Sequence, residues 1–470
     1  MRIGSCGMAP AKILLFGVCW LTAFTLSGCG KQGTTPESPL SVGADNDSQR
    51  ASQPLMSAVD KDVPSNPPTQ EVGSGSSERN SGRLFDPDIA SIAELREVTL
   101  RALEAGEEDL AFNMIRKAIA REPENAELIY LHAMILAERN RFREAIVILD
   151  ELSSKLPQSR IAFLGQTARW SGEAGSYEDA ERRFEEILSV IPDDVQVHHF
   201  FGQLLLQLGR RHEANQHFRF LAAVGGINQD ELRAMLLVRN AFAGDEQNSR
   251  LMPLDNLARA RQSLGNGEPD QARVLLEEAN TVSSKSLKGR LLTLEGKWKD
   301  AQELIGSLRE GNLNPDWCYA RACLEEQNDR PKEALQFVVR AILLDPTDAE
   351  SYDKFAVLCK SVNLHDVSEE AKQRASTLRR TVELGQGLVG EDPGNREPLA
   401  ELIDLLKELQ RPLEVFAWRS IDLVYAVQEG AISDSEAQQR FEAIGQERQL
   451  LLNNGIPQPS RAFLLCGYEG

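Results

Sequence analysis

Apolar residues fall into three regimes along the chain. Ile13 to Leu26 is a largely apolar run of 14 residues. Gly30 to Arg83 is the reverse: 54 residues without a Phe, Trp or Tyr, rich in Ser, Pro, Gly, Asn, Asp and Gln, as in Gly73-Ser74-Gly75-Ser76-Ser77. Such a segment cannot bury enough apolar surface to offset chain entropy and is expected to be disordered. As a coil it reaches roughly 40 Å, from ~5–6 Å × √n. From about Leu84 onward, apolar residues recur at helical intervals and no strand alternation appears, which predicts amphipathic helices. The expected fold class is all-α, a helical array behind a disordered tether.

The helical part carries a period. Ala111, Ala145, Ala180 and Ala214 are separated by 34, 35 and 34 residues, and Pro123, Pro157 and Pro192 each follow one of those alanines by twelve. Gly106, Gly175 and Gly209 stand five before their alanines; Leu149, Phe184 and Phe218 stand four after. Ala133, Ala168 and Gly202 share a small position twelve before. Each landmark has a physical use. Small residues let two helices approach closely, and the larger ones fill the seam around them. Glycine supplies the positive φ of a tight interhelical turn. Proline ends the second helix, and Glu124-Asn125 and Asp193-Asp194 supply candidate caps for the next.

This pattern resembles the tetratricopeptide repeat, a helix-turn-helix of 34 residues. Four units run at about 92–125, 126–160, 161–194 and 195–228, with Leu95, Ile129, Leu164 and His198 where the signature tryptophan would stand. The pattern then loosens. Ala272 and Ala301 are 29 apart, Gly296 and Trp298 fit the landmarks, and Ala334 follows with Ala341 and Pro346. Asp392-Pro393-Gly394-Asn395 marks a break, Leu399 to Trp418 reads as a helix pair around Arg411-Pro412, and Ser433-x-x-Glu436 is a capping box opening a last helix to about Leu452. The expected organisation is a regular array over 84–228, divergent repeats over 229–430, and a C-terminal helix and tail over 431–470. Residues 229–249 fit no clean unit.

The resemblance implies a concave surface lined by residues two, five, nine and twelve of each first helix. In the second unit these are Glu127, Tyr130, Met134 and Ala137; in the third, Ala162, Gly165, Arg169 and Gly172; in the fourth, Gln196, His199, Gln203 and Leu206. Tyr130, Met134, Arg169, His199 and Gln203 form the candidate partner groove. The Lys and Asn of a carboxylate clamp are absent there. The mixed lining points to an extended peptide or a protein surface held by apolar and hydrogen-bond contacts.

The N-terminal run follows Arg2 and Lys12. It is short of the ~20 residues that span a bilayer and has the length of a signal-peptide core. It ends in Leu26-Ser27-Gly28-Cys29, which resembles the lipobox of bacterial lipoproteins. The resemblance implies a signal peptide over 1–28, cleavage between Gly28 and Cys29, lipidation of the Cys29 thiol, and a linker to residue 83. Taken together, the chain resembles a tetratricopeptide-repeat bacterial lipoprotein. Gly30, in place of an inner-membrane-retaining Asp, favours an outer-membrane anchor facing the periplasm.

Charge narrows the partners. The formal net charge of −19 repels phosphate backbones and anionic lipid, so no nucleic-acid partner is expected. Beyond the lipobox, only Cys318, Cys323, Cys359 and Cys466 remain, without a CxxC, and they read as small buried apolar residues. HExxH, GxSxG and Walker A motifs are absent, and the six histidines lack ligand spacing: His198 and His199 point apart, and His212 and His217 are five apart. Acidic runs such as Glu181 and Glu185-Glu186 read as a solvated face. No catalytic residue, metal or cofactor is assigned. The leading expectation is a non-enzymatic envelope scaffold, lipid-anchored, binding a protein or peptide. One alternative is a repeat module serving a separately encoded or lost β-propeller-like domain, because Gly387 to Trp418 resembles segments that accompany such domains. The other is a cell-wall or glycan-processing enzyme.

Overall fold

The computed structural model describes residues 85–236, 255–278, 280–308, 314–388 and 396–470. The signal segment, the Gly28–Cys29 junction, the tether and the break at 392–395 lie outside these residues. Among the described residues the secondary structure is helical, without strands. No helix among them is long and apolar enough to cross a membrane. The chain divides into two compact units, up to Ile135 and from Leu136 onward.

The first unit holds α1 (Ile92–Glu104), α2 (Glu108–Arg121) and most of α3 (Ala126–Glu138). Ser91 starts α1 with a reciprocal capping box: its hydroxyl accepts from the Glu94 amide at 3.2 Å, and Glu94 accepts from the Ser91 amide at 2.6 Å. Gly106, at φ 73°, turns the chain into α2. Leu95, Ala102, Ala111, Ile115 and Leu128 form the core. Arg121 closes the N-terminal turn by donating to the carbonyls of Asp88, at 2.6 Å, and Pro87, at 3.0 Å.

The second unit begins with α4 (Phe142–Lys155), α5 (Arg160–Glu173), α6 (Tyr177–Val190), α7 (Val195–Gln207), α8 (Arg211–Val224) and a short α9 (Gln229–Leu236). It continues with α10 (Asn256–Gly265), α11 (Pro269–Leu275), α12 (Val282–Leu294), α13 (Trp298–Gly306), α14 (Pro315–Gln327), α15 (Pro331–Leu344), α16 (Ala349–Ser361) and α17 (His365–Gly387). Then follow α18 (Arg396–Glu408), α19 (Pro412–Gln428), α20 (Asp434–Leu452) and the single turn α21 (Arg461–Leu464). At α20, Ser433 caps the Glu436 amide as its motif predicts.

One register runs through these helix pairs. The turn residue has positive φ at Asn140, Gly175, Gly209, Gly267, Gly296, Asp329, Asn363 and Gln410. Five residues later the second helix buries Ala145, Ala180, Ala214, Ala272, Ala301, Ala334, Ser368 and Val415. Twelve before those stand the small or apolar residues of the first helix. At Gly202, a Cβ would fall 2.6 Å from the Phe218 ring, and at Gly289 one would overlap Ile305. These close approaches explain why glycine replaces alanine there. The loosened region therefore keeps the repeat geometry where its landmark residues have changed identity.

The second unit closes on itself. Gly209 is pressed against α10: the Asp255 amide donates to Gln207 O at 3.0 Å and Arg261 Nε donates to Gly209 O at 2.8 Å. The pairs from α10 to α19 follow in order, and α19 then packs back on α8 and α9. Leu402, Leu406, Val415 and Trp418 thus share one core with Phe201, Phe218, Leu232 and Met235. The tail adds a tie. Arg219 donates to Pro457 O at 2.7 Å, and Leu465 is fully buried beside Tyr352 and Phe355.

Candidate functional site

Helix packing sets which residues face the inside of each array. The residue following the small position is Met134, Arg169, Gln203, Arg261, Arg290 and Cys323 in successive first helices. Tyr130 and Met134, in the first unit, are half-buried. In the second unit Arg169 is exposed and lies over the Phe200 ring of the next first helix, 4.4 Å from its centroid. Arg290 repeats this arrangement, 4.0 Å from the Tyr319 centroid. His199, half-buried, is tied to the seam with α9: its Nδ1 is 2.6 Å from Oε1 of the fully buried Glu231. Gln203 is half-buried nearby on α7.

The densest chemistry lies in the other half of this unit. A cavity of about 500 Å³ is lined by Leu264, Leu287, Leu291 and Leu294. Its lining also includes Arg211, Arg261, Arg290, Asp316, Asp345 and Asp348. Arg290 is the hub. It reaches Asp348 Oδ2 at 2.8 Å, Glu350 Oε2 at 2.5 Å and Asp316 Oδ1 at 3.2 Å. Asp316 also takes Arg261. Burial alone would lower the Arg290 pKa, but the carboxylates of Asp348, Glu350 and Asp316 outweigh it and hold the pKa well above its ordinary value. Burial would likewise raise Asp316 and Asp348, yet the surrounding guanidinium groups hold both below the usual carboxylate range. All three residues therefore stay ionised, each held by its neighbours.

The expectation of a solvated acidic face holds only in part. Acidic residues are not uniformly a solvated face: Asp316 is 1% exposed and Glu231 0%. His198 and His217, on different helices, meet at 2.9 Å between their Nδ1 atoms, with His198 Nε2 3.0 Å from Pro192 O. Burial, together with its proximity to His198, pushes the His217 pKa down to about 4, so His217 is neutral in the fold near pH 7. Among the described residues, no group of three His, Cys, Asp or Glu is placed to hold a metal ion. Cys318, Cys323 and Cys359 are free and buried, and burial pushes the Cys318 thiol up to about 12.

The regular part of the array can be compared with known proteins. Residues 102–165 match the tetratricopeptide-repeat family model. The match spans the end of α1 through the first turn of α5, where the period is cleanest. Among solved structures, the chain is similar to a tetratricopeptide repeat protein from Parabacteroides merdae ATCC 43184 at 17% identity. That alignment covers 57% of this chain and 98% of the other, with a TM-score of 0.27. It is also similar to the P58(IPK) TPR domain at 14% identity, covering 77% of this chain and 99% of that one, with a TM-score of 0.23.

Proposed function

We propose that this protein is a non-enzymatic bacterial envelope scaffold, anchored through lipid on Cys29 and binding a protein or peptide partner along the inner faces of its repeats. The observation that carries the reading is the recurring inward position. Arg169 and Gln203 both follow the small residue of a first helix, so one geometry repeats a polar side chain suited to an extended partner. An outer-membrane site facing the periplasm fits Gly30.

Photo-crosslinkers at Arg169 and Gln203, compared with Glu185 on an exposed stretch of α6, test the reading in intact envelopes. Discrete protein adducts are expected from the first two positions and not from Glu185. Adducts at all three, or at none, would contradict a groove-borne partner. Cys29→Ala tests the anchor separately: radiolabelled palmitate incorporation and membrane retention are both expected to disappear.

A further inference from the structure

We infer that the cavity in the second unit is a binding site for a small organic acid, its carboxylate at Arg211 and its apolar stem along Leu264, Leu287, Leu291 and Leu294. The inference does not depend on the scaffold reading.

Most carboxylates around this cavity are engaged by cations or donors of the protein itself. Asp316, Asp348 and Glu350 share Arg261 and Arg290. Glu295 takes Arg273 at 2.5 Å and Lys297 at 2.7 Å. Asp345 accepts from the Thr347 amide at 3.1 Å and its hydroxyl at 2.5 Å. Arg211 differs. It is 6% exposed, its Nη2 donates to Thr347 Oγ1, and its Nε and Nη1 have no acceptor. The nearest carboxylate oxygen, on Asp345, stands 3.8 Å from Nη1, beyond hydrogen-bond reach. A buried guanidinium with two unmet donors is costly, and an incoming carboxylate supplies the missing acceptors and a counter-charge.

The rest of the cavity sets the class of acid. About 500 Å³ suits a small ligand. The four leucines of the lining, with Leu287 and Leu291 almost fully buried, favour a hydrocarbon stem. The surrounding carboxylates of Asp316, Asp345, Asp348 and Glu350 repel a second negative charge, so a monoacid fits where a dicarboxylate or inorganic phosphate does not. His212, whose pKa burial lowers, adds no positive charge near neutral pH.

Hexanoate, titrated calorimetrically into the full-length chain, is the probe. Saturable binding is expected, with succinate, inorganic phosphate and hexylamine each weaker by about tenfold or more. Arg211→Gln is expected to weaken hexanoate by at least about tenfold, the loss of a charge-assisted hydrogen bond. Because Arg211 is buried and its variant is open to misfolding, Leu294→Trp provides a second test. Leu294 lines the cavity and is 55% exposed, so a larger ring there is tolerated by the fold and is expected to narrow the cavity. Leu294→Trp is expected to keep the wild-type melting temperature and lose hexanoate binding. No binding at millimolar hexanoate, equal binding by folded Arg211→Gln, or equal binding of phosphate would each overturn the inference.

Discussion

The second unit contains two runs of helix pairs built on one register with different interiors. In α5–α8, the expected inward positions hold Gly165, Arg169, Gln203 and Leu206, and the buried arginines, Arg183 and Arg211, lie on second helices. Arg183 lies between second helices, donating to Asp150 at 2.7 Å and Asp179 at 2.8 Å. In α10–α16, the inward positions hold Arg261, Arg290, Asp316 and Glu350, joined in a buried network beside a cavity. The backbone solution is shared, with a left-handed turn residue and a buried small residue five later in both. What differs is the surface the scaffold presents, so scaffold and chemistry vary independently here.

The largest way to separate the two runs is at the hub. Arg290→Met leaves the buried Asp316 and Asp348, and the half-exposed Glu350, without their shared cation, and is expected to cost about 3–5 kcal/mol in urea unfolding. Equal loss from Arg169→Met, exposed in the first run, would break the distinction.

Acid separates them next. His217 has a pKa of about 4 in the fold against 6.5 when free. Between those values the unfolded chain takes up a proton that the folded chain refuses. Stability therefore falls as pH drops from about 6.5 to about 4, then levels, by about 3 kcal/mol at about 1.4 kcal/mol per unit. The groups facing His217 are His198, Phe201 and, electrostatically, Glu213. His217→Phe is expected to flatten this window. The second run behaves differently, because Asp316 and Asp348 are depressed below 3.8. The stability they add is present above pH 4 and is lost only as pH falls further. Chemical denaturation across pH, for wild type and His217→Phe, measures both.

Smaller effects test the shared register itself. Gly202→Ala drives a methyl into the Phe218 ring and is expected to cost about 1–3 kcal/mol by overpacking. Asp329→Ala puts an alanine at φ 57° and is expected to cost about 1 kcal/mol, whereas Asp329→Gly is expected to be neutral or stabilising. Thermal melts rank all three.

Much of the fold could be read because its landmarks were conspicuous residue types. Glycine at 106, 175 and 209 and alanine five later announce a turn and a close contact directly. The register was lost where other residues do the same work. Asn140, Asp329, Asn363 and Gln410 also hold positive φ, and Ser368 and Val415 fill the alanine place. Asn and Asp tolerate the left-handed region through their short polar side chains, but nothing local distinguishes them from surface residues. The position after the small residue is easily aligned at Arg169 and Gln203. Its continuation at Arg261 and Arg290 depended on aligning units of unequal length. The hub had no local signal, since Arg290 meets residues 26, 58 and 60 positions away. The return of α19 onto α8 was equally silent, because the apolar face of an ordinary amphipathic helix does not say what covers it.

Amide hydrogen exchange on Arg290→Met tests the separation of scaffold and chemistry most directly. Faster exchange is expected in α10, α12, α14 and α16, with α5–α8 unchanged from wild type. Uniform acceleration across both runs, or no change in the second, would contradict it.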